Sequence, residues 1–100
     1  MVDYQKLTCN ELEDRLNRRE SLTVVDVREQ REVRSGMIPG AKHIPLGELP
    51  ARLSELDPKV ETIFVCASGN RSRKACQYAV DQGFGKVWNL EGGMKKWTGA

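Results

Sequence analysis

The sequence predicts an α/β domain built on a mostly parallel sheet, and three observations carry that reading. Leu22–Arg28 and Thr62–Val65 are short runs of apolar and β-branched residues bounded by polar ones, the pattern of buried strands. Segments with apolar residues at helical spacing alternate with them, and no hairpin signal joins the strong strands, so the connections are helical crossovers. One hundred residues suit one domain with one modest core, so residues 1–100 are expected to form a single unit.

Taken in order, Tyr4-Gln5-Lys6-Leu7 reads as a short edge strand. Thr8 caps the first helix. Glu11, three residues on, completes a capping box, and Leu7 is placed to staple onto Leu12, which forms the buried stripe with Leu16. Leu22–Arg28 is nearly continuous in apolar and β-branched residues, as strands covered on both faces are. Asp26 interrupts it, and a carboxylate beside such a strand is seldom buried without a partner. Three roles stand open for Asp26: general acid, anchor for a neighbouring loop, or strand-end partner of an arginine.

Glu29–Arg34 predicts a short polar helix, Ser35–Ala41 a loop with two glycines and a proline, and Lys42–Pro45 a very short strand. His43, the only histidine, sits inside that strand, and a hydrogen bond to backbone is expected of it rather than chemistry. Leu46, Leu49, Leu53 and Leu56 are spaced for a helix in which Pro50 is tolerable at the first turn. Asp57-Pro58-Lys59 ends it before the 62–65 strand. Ser72, Ala75, Cys76, Ala79 and Val80 then predict a helix over 71–82, stopped at Gly83. Lys86–Leu90 is a fifth strand, and Glu91-Gly92-Gly93 turns into a last short helix carrying Met94 and Trp97. Trp88 and Trp97 are expected as core anchors.

Composition excludes several classes. A hydrophobic content of 39% with 30% charged residues is that of a soluble globular protein. No apolar run approaches a membrane span, and Met1-Val2-Asp3-Tyr4 begins no signal-peptide pattern, so no membrane partner is expected. Three cysteines without paired short spacing point away from a disulfide framework or a zinc site, and toward reduced thiols in a cytoplasm. Neither a metal nor a cofactor is expected. The net charge of +2 is too small to suggest a nucleic-acid partner. Arg15, Arg18 and Arg19 read as a solvated helix face, whereas Arg71, Arg73 and Lys74 flank the candidate site and would attract an anionic substrate.

That site is the turn Cys66-Ala67-Ser68-Gly69-Asn70-Arg71. A cysteine at the carboxyl end of a buried strand faces the unpartnered N–H groups of the following helix, whose dipole favours negative charge there. The thiolate is the reactive form, and such a position lowers its pKa. Gly69 lets the turn curl tightly, and Arg71 supplies a permanently charged donor fork for an oxyanion. The alternative is a buried structural cysteine, but the polar, turn-forming residues after Cys66 place it where the strand leaves the core. Cys76 falls on the apolar stripe of the helix and reads as core, and Cys9 as packed or partly exposed at the first turn of the first helix.

These residues resemble the single-domain rhodaneses, the thiosulfate and persulfide sulfurtransferases. The likeness spans nearly the whole chain, in four blocks: Val25-Asp26-Val27-Arg28-Glu29, Gly36 through Leu46, Cys66 through Ser72, and Leu90 through Trp97. It implies a rhodanese-like fold, with a five-stranded, mainly parallel sheet flanked by helices on both faces. It implies that Cys66 takes sulfane sulfur from a small anionic donor such as thiosulfate, becomes a persulfide, and passes the sulfur to cyanide, a thiol or a protein acceptor. The family's substrate loop maps onto Ala67, Ser68, Gly69, Asn70 and Arg71. Met37 stands where many relatives have His, which bears on access to the site.

Two rivals share that fold. A phosphatase or arsenate reductase grips a tetrahedral oxyanion in a longer loop than the four residues between Cys66 and Arg71, and it needs a positioned carboxylic acid, for which only Asp26 is available. A non-catalytic binding or regulatory module would dispense with the nucleophile, and Cys66 is present.

Overall fold

The computed structural model describes residues 4–98. Five strands, β1 (Gln5–Leu7), β2 (Leu22–Asp26), β3 (Lys42–His43), β4 (Glu61–Val65) and β5 (Val87–Leu90), form one sheet in the order β1-β5-β4-β2-β3. Every pairing is parallel. Five α-helices intervene: α1 (Cys9–Asn17), α2 (Gln30–Val33), α3 (Leu49–Arg52), α4 (Asn70–Asp81) and α5 (Gly93–Lys96). The strand at the centre of the sheet is β4, the one that leads into Cys66.

Side chains on a strand alternate between faces, and β4 shows how that alternation builds three layers. Phe64 and Cys66 point into one core with Val25, Val27, Leu49, Ala75 and Ala79, beneath α3 and α4. Ile63 and Val65 point into the other with Leu7, Leu12, Val24 and Leu90, beneath α1 and α5. A strand buried on both faces has no polar side to alternate, which is why 62–65 reads as an unbroken apolar run.

Local chemistry sets the helix ends. Thr8 Oγ1 accepts from the Glu11 N–H at 3.1 Å while the Glu11 carboxylate accepts from the Thr8 N–H at 2.8 Å, the capping box the sequence predicts. Such a cap is worth about 1 kcal/mol. The 46–56 segment departs from the single predicted helix. It divides into a 3-10 turn, the four residues of α3 and a second 3-10 turn, with Pro50 in the first turn of α3, where its missing N–H leaves no bond unmade. The tryptophans also depart from expectation. Trp88 and Trp97 are half-buried at the edge of the second core. The Trp88 indole N–H donates to Glu61, and the Arg15 guanidinium lies 5.6 Å over its ring. Arg15 also pairs with Glu20 and Glu61, so it is a tethered residue rather than part of a solvated face.

Asp26 resolves into a structural role. It is 1% exposed, and Arg28 closes on it with both Nε and Nη2, at 3.0 and 2.8 Å, while the Arg28 N–H adds a third bond at 3.0 Å. The same guanidinium donates to the carbonyls of Glu32 and Gly36, so a buried ion pair ties α2 and the loop after it to the end of β2. His43 Nε2 meets the Arg28 carbonyl at 2.7 Å, the backbone role expected of it. Removing one partner of a buried pair leaves an uncompensated charge. Asp26→Ala is therefore expected to cost about 3–5 kcal/mol in denaturant unfolding; a loss below about 1 kcal/mol would contradict this account of the pair.

Candidate active site

Cys66 follows the last residue of β4 and is 1% exposed. Its Sγ accepts a hydrogen bond from the Gly69 N–H at 3.0 Å and lies 3.3 Å from Ser72 Oγ. Gly69 reaches this position because it adopts φ +99° immediately before α4, a left-handed turn that other residues enter at a cost. The twelve residues of α4 then present their free amino-terminal N–H groups to the sulfur.

Opposing influences set the thiol's acidity. Burial is the largest and pushes its pKa up. The Ser72 hydroxyl and the N–H groups of Ser72, Ser68 and Gly69 pull it down, and together they hold Cys66 below the ordinary thiol value. Cys76 has no such cradle. Burial first, then the nearby Cys66 charge, pushes it up to about 12, and its S–H donates to the Trp88 carbonyl. Burial likewise raises Cys9, with Lys96 opposing.

Two further contacts hold the cradle in shape. The Ser72 hydroxyl donates to Asn89 Oδ1, and Asn89 Nδ2 donates to the Gly69 carbonyl at 3.3 Å. A hydroxyl has one proton, so with Ser72 donating to Asn89 the neutral thiol donates to Ser72; donation to the thiolate requires the hydroxyl to turn from Asn89 to sulfur. On the other side, the Met94 and Lys95 N–H groups of α5 donate to the carbonyls of Cys66 and Ala67 at 2.8 and 3.0 Å. That approach requires glycine at 93, where φ is +59° and a Cβ would sit 2.4 Å from the Cys66 carbonyl oxygen.

The residues expected at the site are together, though not all face the sulfur. Ser68 and Gly69 offer N–H groups to it. Ala67 is held through its carbonyl, and the Asn70 side chain accepts from Arg73 at 2.8 Å. The Arg71 fork is engaged: Nη1 and Nη2 donate to the two carboxylate oxygens of Glu32 at 2.7 and 2.8 Å, and these bonds first, with the Cys66 charge a smaller contributor, raise the Arg71 pKa. Arg71, chiefly by these hydrogen bonds, holds the Glu32 carboxyl down to about 2. A depressed acid contributes stability above its unfolded value, and that is lost as pH falls through about 2, so the bridge stands throughout the neutral range.

Ser72, Asn89, Glu32 and Gly93 are the members that sequence reasoning missed. An asparagine inside an apolar strand was the one usable signal, because a buried amide needs partners. A depression of about 730 Å³ between Ser21, Pro58, Glu61 and Lys86 lies at the opposite ends of the strands, away from Cys66.

The fold agrees with comparison to known proteins. A family model, the rhodanese-like domain, matches residues 8–100. YtwF of Bacillus subtilis, whose name assigns it provisionally to the sulfurtransferases, is 41% identical over 98 residues, covering 98% of this chain and 94% of that protein. The thiosulfate sulfurtransferase GlpE of Pseudomonas putida is 34% identical over 82 residues, covering 82% and 74%. The crystal structure of a rhodanese-like domain protein from Staphylococcus aureus superposes with a TM-score of 0.88 at 35% identity, covering 93% of this chain and 90% of the other. The chain belongs to the rhodanese-like family.

Two measurements check the geometry. Iodoacetamide is expected to label Cys66 with a pH midpoint below that of an ordinary cysteine and to spare Cys76 at neutral pH; Ser72→Ala should move the Cys66 midpoint upward. Gly93→Ala is expected to cost on the order of 2 kcal/mol or more in unfolding free energy, since neither the positive φ nor the two carbonyls can yield cheaply.

Proposed function

We propose that this protein is a sulfurtransferase that moves sulfane sulfur from thiosulfate or another persulfide donor to a thiophilic acceptor through a persulfide on Cys66. The observation that carries the reading is a buried sulfur, kept acidic by backbone N–H groups, at the end of the central strand. Family membership and the sulfurtransferase names of its relatives support it.

In the first step the Cys66 thiolate attacks the outer sulfur of thiosulfate. The new S–S bond forms as the old one breaks, and the electron pair leaves with sulfite. Sulfite needs no proton, so no general acid takes part; Asp26 and His43 are accordingly free to serve structure. The outer sulfur of the persulfide extends toward the loop Ala67, Ser68, Gly69, Asn70 and Arg71, whose N–H groups, with that of Ser72, stabilise its charge as an oxyanion hole does for oxygen. Arg71, which lies within the field of Cys66, is the cation assigned to the donor's anionic end. In the second step cyanide, a thiol or a protein acceptor attacks the outer sulfur and the electron pair returns to Cys66. A reduced, cytoplasmic setting suits the chemistry, and all three cysteines are free.

The phosphatase reading fares worse on the same ground. Its acid would have to be Asp26, which Arg28 holds in the interior.

Sulfur transfer from thiosulfate to cyanide is expected to vanish in Cys66→Ser and to survive largely intact in Cys76→Ser. Substantial turnover by Cys66→Ser would overturn the mechanism. Arg71→Ala should reduce thiosulfate use more than use of a donor of lower charge, and equal losses would rule out its role toward the anion.

A further inference from the structure

The permanent cation beside the nucleophile is not free to meet a substrate. Glu32 closes on the Arg71 fork with both carboxylate oxygens, and Glu29 adds a second negative field from the same segment. Glu32 is also held in place. Arg28, locked on Asp26, donates to the Glu32 carbonyl, and the Glu32 side chain accepts the Glu29 N–H at 2.9 Å. The pair is therefore a standing feature of the site rather than a passing surface contact.

The same segment forms one wall of a groove of about 310 Å³, through Arg28, Ser35, Gly36 and Met37. The opposite wall is Met94 and Trp97, from the helix whose N–H groups hold the Cys66 and Ala67 carbonyls. The lining mixes polar backbone and hydroxyl groups with thioether and indole surface. Arg28, the only cation in that lining, is spent on Asp26.

We propose that Glu32 is a specificity-determining residue: by pairing with Arg71 it withholds positive charge from the donor and favours organic persulfides of low charge over the thiosulfate dianion. This rests on the sulfurtransferase reading of Cys66. With such a donor, R–S–SH, the thiolate attacks the outer sulfur, the Cys66 S–S bond forms, the donor's S–S bond breaks, and the electron pair leaves with RS⁻. The proton stays on the transferred sulfur, and no external oxidant or reductant enters.

The test compares the rate of Cys66 persulfide formation, followed by quenched-flow mass spectrometry, with thiosulfate and with β-mercaptoethanol persulfide. Wild type, Glu32→Gln, Arg71→Ala and the double variant Glu32→Gln/Arg71→Ala are compared at low and high salt. Removing one negative charge several ångströms from the donor should speed charging by thiosulfate about fivefold and leave charging by the persulfide, which reacts as neutral R–S–SH, nearly unchanged, because the Coulomb energy scales with the donor's charge. Added salt should shrink the gain with thiosulfate. Arg71→Ala should shift the donor ratio the opposite way, and the double variant should return it to within about twofold of wild type, since both charges are then gone. Equal changes for the two donors, or slower charging by thiosulfate in Glu32→Gln, would show that Glu32 is only a strut for the loop and overturn the proposal. A wild type charged by neither donor would overturn the sulfurtransferase reading itself.

Discussion

A sulfur that is 1% exposed carries negative charge only if the protein replaces the water it has lost. That constraint organises the molecule. The replacement comes from the N–H groups of Ser68, Gly69 and Ser72 and from the Ser72 hydroxyl, and it outweighs the burial that opposes it. Each donor needs its own support. Gly69 has to turn left-handed, Ser72 has to sit in the first turn of α4, Asn89 has to reach across from β5, and Gly93 has to let α5 approach the Cys66 carbonyl. The cradle is thus made by three elements meeting at the carboxyl end of β4.

The layers of the fold explain why they meet there. In a parallel sheet all carboxyl ends lie on one edge. Placing β4 in the middle puts Cys66 between the end of β5, which carries Asn89, and the end of β2, which carries Asp26. The Asp26–Arg28 pair is the second support. It has no part in the chemistry, but it fixes the segment from which Glu32 reaches Arg71. Stability and specificity are linked through one buried guanidinium.

How much of this was legible in the sequence depends on distance along the chain. The β4–Cys66–α4 unit lies within some twenty residues, and its apolar run, turn residues and helical spacing are all local, so the strand, the helix and the place of Cys66 between them could be read directly. The Thr8–Glu11 capping box is legible for the same reason. Periodicity says which face a residue occupies and not which partner it meets. Ser72 therefore read as one member of an apolar stripe, and Arg71 as a free cation, although its partner Glu32 is 39 positions away. The 46–56 leucines have true helical spacing, yet a proline and short reach broke the segment into single turns. Trp88 has core chemistry on paper, but its indole N–H needed an acceptor and found Glu61 at the edge.

The central claim is that Cys66 stores the transferred sulfur as a persulfide. Intact mass of the protein after incubation with thiosulfate, with and without cyanide, tests it most directly when wild type is run beside Cys66→Ser. The account predicts a gain of one sulfur atom that cyanide removes and that the variant never shows. No gain in the wild type, or the same gain in Cys66→Ser, would contradict it.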